Sequence, residues 1–455
     1  MLAHDLECLL GPGRVSSDPE AIAGHSGDKW FASHPPETVV FAESAGDVSK
    51  LLGYCDARRI PVTPRGAGVG YVGGCVPARG GVALSLAKMD AILEINPLDG
   101  VAVVQPGVIT GDLQDAVRER GWFYPPDPAS LKECSIGGNI ATNAGGPRCL
   151  KYGVTRHYVL GLEVVLADGT IVRAGGRCHK NKTGFDLIGT FVGSEGMLGV
   201  VTEATLRLIP HPLARAMVSA GFASFPQAAE AVQRIFAGGF LPAAVEITDQ
   251  FTLQAARDYK GAEMVPDGQA HLLVEIDCQP ASVAAEAGSL AALRGSLGAL
   301  SIEKAESGPA CAALWDLRRE FSYSLRATGL TKLNEDVVVP RSRLVDLVQF
   351  GESLQEESGF AVACFGHAGD GNIHVNIMVE NIDDPDTRAR SEAALDRLFK
   401  QVLAWGGAIS GEHGIGLAKS RWFAQAVGEG AVEMHRRLKR ALDPNGILNP
   451  GKFLP

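Results

Sequence analysis

A chain of 455 residues exceeds what one hydrophobic core ordinarily serves and favours two or three domains. With 46% apolar and 21% charged residues it can bury a large core, which argues against disorder as its main state. The net charge of −10, with no Lys/Arg cluster to reverse it locally, would repel phosphate backbones and argues against nucleic acid as a partner.

The opening stretch MLAHDLECLLGPG carries Asp5 and Glu7 and no basic run, unlike a secretory signal. Nowhere do 18 consecutive apolar residues occur. A cytoplasmic protein is expected, peripheral to a membrane only through a partner. The nine cysteines are scattered and never spaced C-x-x-C, which suits reduced thiols and not an iron–sulfur cluster held within this chain.

From about residue 37 to 210, short β-rich runs alternate with Gly/Pro/Asn loops, interrupted by two helices. The first has Ser44 and Asp47 spaced as a capping box and should run to about Arg58. The strand IPVTP and the glycine loop RGAGVGYVGG (65–74) follow. A second helix is predicted from Thr110 or Asp112 to a stop at Gly121. The stretch LEVVLADGTIVRAG predicts a hairpin turning at Asp168-Gly169. Beyond Pro212, AMVSAGF, AAVEITD, HLLVEID and SIEKAE predict four strands, with helices such as PQAAEAVQRIF and SVAAEAGSLAALRG between them. These imply a second domain built as an α+β layer.

Gly68, Gly70 and Gly73 satisfy G-x-G-x-x-G, but a dinucleotide fold needs a helix directly after the glycines. Here Pro77 and the β-rich run Val82 to Leu86 follow, so a nicotinamide site is disfavoured. Such a loop still lets backbone N–H groups converge on a diphosphate; a plain surface loop is the alternative. A second loop, GGNIATNAGGPRCLKYG (137–153), joins several glycines with Asn139, Thr142 and Asn143. Counting Gly153 it holds five glycines, and it would let a flat ligand approach the backbone, though ordinary turn chemistry explains it equally well.

In AVACFGHAGDGNIHVNIMV, two β-rich runs flank AGDGN, so a hairpin should bring His367 and His374 together across its mouth. Strand period two places Asn376 on the face of His374. Some forty residues later Glu412 and His413 stand side by side in SGEHGIG. Two imidazoles and a carboxylate are a common ligand set for a divalent metal with open positions, here zinc first, with manganese or iron(II) compatible. His413 is then left as a general base. Any one of these histidines alone reads more readily as structural; the four ionisable residues together, among glycines and strands, call for a reason.

PRGAGVGYVGG, PPDPASLKECSIGGNIATNAGG, YGVTRHYVLGLEVVLADG and GSEGMLGVVTEATLRL resemble, in order and spacing, the FAD-binding domain of the vanillyl-alcohol oxidase (PCMH-type) superfamily. GHAGDGNIHVN and GEHGIG are similar to segments of its D-lactate, glycolate and D-2-hydroxyglutarate dehydrogenases. The resemblance implies an α+β protein. It would comprise an N-terminal segment (1–36), a two-part PCMH-type FAD-binding domain (37–212), and a cap domain with an antiparallel, ferredoxin-like sheet (213–410). A C-terminal segment (411–455), partly helical, would return to the flavin.

It implies an FAD-dependent dehydrogenase that oxidises a small D-2-hydroxy acid. Pro64, Arg65, Gly66, Ala67, Gly68, Val69, Gly70 and Gly73 would wrap the pyrophosphate. Gly137, Gly138, Asn139, Ala141, Thr142, Asn143, Gly145 and Gly146 would line the flavin, with Gly196, Val200, Thr202 and Asn449 close by, and Lys452 beside Asn449. No histidine lies between Arg65 and Gly74, so FAD should be dissociable. His367, His374 and Glu412 would hold the metal and His413 would be the base. Arg318 and Ser322, one helical turn apart, and Lys332 beyond them would recognise the substrate carboxylate.

Electrons would leave to an electron-transferring flavoprotein, an iron–sulfur companion subunit or a quinone pathway; a homodimer is compatible. Two other readings are an electron-transfer or scaffold subunit with a dead site, and a flavin-dependent transferase without net oxidation.

Overall fold

Near-continuous β-branched runs such as Thr38–Phe41 and Val82–Ser85 suit strands covered on both faces, and they form the parallel heart of a four-stranded sheet. Val62–Arg65 joins it on one side and Val15–Ser16 on the other, antiparallel. The helix Ala45–Asp56 starts where Ser44 accepts the N–H of Asp47, and it buries Val48, Leu51, Leu52 and Cys55 against this sheet. Leu6 of the N-terminal helix Leu2–Leu10 enters the same core. A second, antiparallel sheet of five strands contains the hairpin of Val159–Val165 and Ile171–Gly175, whose turn carries Gly169 at φ +87°.

The computed structural model describes residues 1–454 and divides into two units. The first comprises 1–146, 153–211 and 412–455; the second comprises 147–152 and 212–411. The six residues 147–152 thus lie with the second unit, although sequence reading assigns 37–212 to one continuous domain. The N-terminal 36 residues belong to the first unit. Among the described residues no helix is long and apolar enough to cross a membrane.

The second unit is built on a seven-stranded antiparallel sheet. In spatial order its strands are Ser301–Ala305, Ala214–Phe222, Ala270–Cys278, Ala244–Thr248, Ala361–His367, Asn372–Val379 and Thr331–Val338. Residues opposite one another in such a sheet share a face. Register therefore puts Glu246, His367 and Asn372 in one row, Phe365, His374 and Asp336 in the next, and Ala363, Asn376 and Asn334 in a third, all on one face. The helices Gln250–Lys260 and Gly308–Ala327 pack on that face, through Ala255, Leu325, Phe365 and Met378. The opposite face is apolar, with Val362 and Cys364 against Gly351 of the helix Leu344–Ser358. The architecture is α+β, and its functional polarity is written into the alternation of HVNIM and LNEDV.

Candidate functional site

In the first unit, the loop 65–74 meets a short helix, Ile136–Thr142, capped by Ser135. Its glycines hide the helical period, and sequence reading treats the segment as a loop. They are needed for contact: a Cβ on Gly137 would come within 2.6 Å of Pro106, and one on Gly66 would overlap Ser135 Oγ. A cleft of about 220 Å³ opens beside this meeting, lined by Gly66, Ala67, Gly107, Ser135, Asp90 and Asp112. Backbone without Cβ atoms on one side fits a diphosphate, and the two carboxylates suit the hydroxyls of a sugar or ribityl chain.

The polar side chains expected to reach a cofactor also have partners within the protein. Asn139 Nδ2 donates to Thr110 Oγ1 (2.6 Å), Thr142 Oγ1 to Gly138 O, and Asn143 Oδ1 accepts Arg156 N–H; Asn143 ends the helix at φ +53°. Thr202 Oγ1 bonds to Glu163, and Val200 sits in the apolar core. Arg65 donates to Gly27 O (2.5 Å) and Cys75 Sγ, lying where a Cβ on Gly68 would be. Gly70 lies 3.4 Å, by its would-be Cβ, from Asp28, Gly73 rests on Trp30, and Gly196, at φ +70°, rests on Pro64. Gly146 is pressed against Asp127 O. The glycines among these positions offer backbone and small surfaces to a ligand. Asn449 Nδ2 donates to Gly74 O and Glu195 O, and Lys452 Nζ to Gly73 O and Val76 O, so both brace the glycine loop from behind.

In the second unit, the hairpin brings the rings of His367 and His374 to a centroid separation of 5.6 Å. The chain returns at Ala408, bridged to Val338, and Gly411 N–H is held by the buried Asp336, the cross-strand neighbour of His374. Glu412 follows directly. Ligand atoms of His367, His374 and Glu412 lie within 4.8 Å of one another. His367 Nδ1 meets Glu246 Oε1 at 2.5 Å, the carboxylate–histidine contact that fixes ring orientation in metal sites. Burial alone would raise the carboxyl of Glu246, yet His367 and Arg318 hold it down to about 2. Asn376 Nδ2 donates to Ala363 O and His374 O, and its buried Oδ1 has no partner among the described residues. The donor set, with one imidazole pre-oriented by a carboxylate, fits a divalent transition metal.

Arg318, Ser322 and Lys332, expected to recognise a substrate carboxylate, all lie in the second unit. Arg318 directs Nε (2.7 Å) and Nη2 (2.6 Å) onto Glu246 Oε2, so its two-pronged edge is already engaged. Ser322 and Lys332 do come together, with Nζ 3.0 Å from Oγ. Burial, then Arg326 and Arg318, lower the Lys332 ammonium to about 8. His413 stacks on Tyr71 of the glycine loop, ring centroids 5.3 Å apart.

Sequence reading missed Glu246, Asp336 and Glu195. For Glu246 and Asp336 the available signal was an acid within a β-rich run, in AAVEIT and NEDVVV, because a carboxylate buried in a strand needs a partner; no such signal marks Glu195. A third such acid, Glu275 in HLLVEID, is gripped by both prongs of Arg148 at 2.9 Å.

The family described as FAD linked oxidases, C-terminal domain, matches residues 211–453, and the FAD binding domain family matches residues 36–175. Glycolate oxidase subunit GlcD of Bacillus subtilis (strain 168) is 39% identical over 92% of this chain and 89% of its own. The D-lactate dehydrogenase of Anaerostipes hadrus is 34% identical over 98% and 95%, and that of Archaeoglobus fulgidus 36% over 97% and 95%. Among solved structures, p-cresol methylhydroxylase with substrate bound superposes with a TM-score of 0.81 at 20% identity, covering 99% of this chain and 96% of that one. An alkyldihydroxyacetonephosphate synthase gives 0.77 at 19%, covering 99% and 84%. At such identities the structural likeness speaks for the fold.

Proposed function

Because the chain belongs to the FAD-linked oxidases, we propose that it is a dehydrogenase oxidising a small D-2-hydroxy acid of the glycolate, D-lactate or D-2-hydroxyglutarate type to the 2-oxo acid. The observation that carries this reading is the His367, His374 and Glu412 cluster with Glu246 behind it. FAD, when bound, supplies the two-electron acceptor. A divalent cation, zinc first, when bound, supplies a positive charge that lowers the pKa of a substrate hydroxyl.

His367 would present Nε2 to the cation, since Nδ1 is taken by Glu246. His374 and Glu412 complete the protein ligands. His413, held against Tyr71, accepts the hydroxyl proton. Lys332 and Ser322 bind the substrate carboxylate, with Arg318 contributing charge from its place on Glu246. Asn376 offers Oδ1 as an acceptor. Pro64, Gly66, Ala67, Val69, Ala141, Gly145 and their neighbours would hold FAD through backbone and small surfaces, without a covalent bond. The Bacillus subtilis relative is named as a subunit, which supports a companion protein as the external electron acceptor.

Anaerobic stopped-flow mixing with a panel of D- and L-2-hydroxy acids tests the reading. The expected result is rapid flavin bleaching by one D-acid or by glycolate, with no second substrate. No bleaching by any hydroxy acid would overturn it.

A further inference from the structure

Residues 411–419 carry Glu412 and His413 through a stretch without helix or strand, and Gly414 (φ +85°) and Gly416 (φ +49°) make that stretch intrinsically adaptable. Glycines of this kind allow the loop's conformation without selecting it. What selects it within the first unit is Glu195. Its Oε1 accepts Ile415 N–H at 2.7 Å and its Oε2 accepts Gly416 N–H at 2.8 Å. The carboxylate is buried, and its own backbone is fixed at both ends: Glu195 N–H donates to Ala141 O, and Glu195 O accepts from Asn449. Glu195 itself sits at φ +49°, a conformation few side-chain-bearing residues adopt. Immediately downstream, Leu417 and Ala418 N–H both reach Val72 O.

We infer that Glu195 is a positioning residue for the proposed catalytic loop, setting Glu412 as a metal ligand and His413 as a base by clamping the two amides that follow them. One carboxylate accepts both adjacent N–H donors, one on each oxygen. A glutamine would turn an NH₂ toward one of the amides and force the loop to shift. Gly414 gives a second handle: a Cβ there would come within 2.7 Å of Glu195 Oε1 and displace the clamp without altering its charge, with the added strain of a side chain at φ +85°.

The inference rests on the metal reading above and is tested on the flavin-loaded protein, stripped of metal and titrated with zinc against a chromophoric chelator. Glu195→Gln and Gly414→Ala should each keep the bound-flavin spectrum and FAD affinity of the wild type and lose zinc affinity about 10–100-fold, as expected when an outer-shell partner is removed. A role confined to fold stability would lower the melting temperature without this selective loss. If Glu195→Gln does not fold, Gly414→Ala decides alone. If the wild type binds zinc and Glu412→Gln does not, then wild-type affinity in Glu195→Gln, or in Gly414→Ala where that variant decides, overturns the inference and leaves the metal reading standing. If the wild type binds no zinc, or Glu412→Gln binds it equally well, the metal reading falls and the inference with it.

Discussion

His413 and Lys332 are the two side chains whose chemistry separates most cleanly. Replacing His413 with alanine should leave FAD bound and slow flavin reduction by about 10²–10⁴-fold, the contribution of a positioned base; a near-normal single-turnover rate would remove it from the mechanism. Lys332 is lowered to about 8 by burial and then by Arg326 and Arg318. Its cation is therefore present below that pH and lost above it. The KM for a hydroxy acid should be flat up to about pH 8 and then rise by about 10–100-fold, the value of a hydrogen bond to a charged group. In Lys332→Arg the rise should be absent, and an unchanged KM profile in the wild type would exclude Lys332 from substrate binding. His367, His374, Glu412 and His413 were legible because glycines and a turn isolate them in the sequence. Glu246 was not, because a single acid in AAVEIT becomes meaningful only once register sets it opposite His367.

Elements were legible where a local signal coincided with the tertiary demand. Ser44 caps its helix as its spacing predicts, and Asp168-Gly169 turns its hairpin. The helix Ile136–Thr142 was lost because glycines chosen for contact with Pro106 and Ser135 erase its apolar period. Asp249 shows an element boundary serving two masters. One oxygen caps the helix Gln250–Lys260 through Thr252 N–H, and the other accepts Cys364 N–H at 2.6 Å in the strand leading to His367. Asp249→Ala should cost about 2–4 kcal/mol in chemical denaturation, a cap plus a buried amide left without its acceptor. A loss under about 1 kcal/mol would show that water replaces the carboxylate.

For the whole molecule, alternation and turn signals foretold an α+β protein with its second layer beginning near Pro212, but not the excursion of 147–152. No local pattern marks that segment; it is defined by Arg148 on Glu275 and by Lys151 and Tyr152 on Asp277. The far end of the chain has an equally non-local fate. Ile447 and Leu448 fill the core beneath the first sheet, and Val62 exchanges backbone hydrogen bonds with Ile447 and Asn449. Deleting residues 444–455 should therefore give protein that purifies without bound flavin, measured by its absorbance at the flavin band; a truncated protein that retains stoichiometric FAD would refute this. During synthesis on the ribosome, the nascent amino-terminal half must wait, with a gap beside Val62, until residues 447–449 have been made. Flavin capture then belongs after residues 447–449 have emerged, which makes the interval before cofactor loading the stage at which the newborn chain is most exposed to chaperones and proteases.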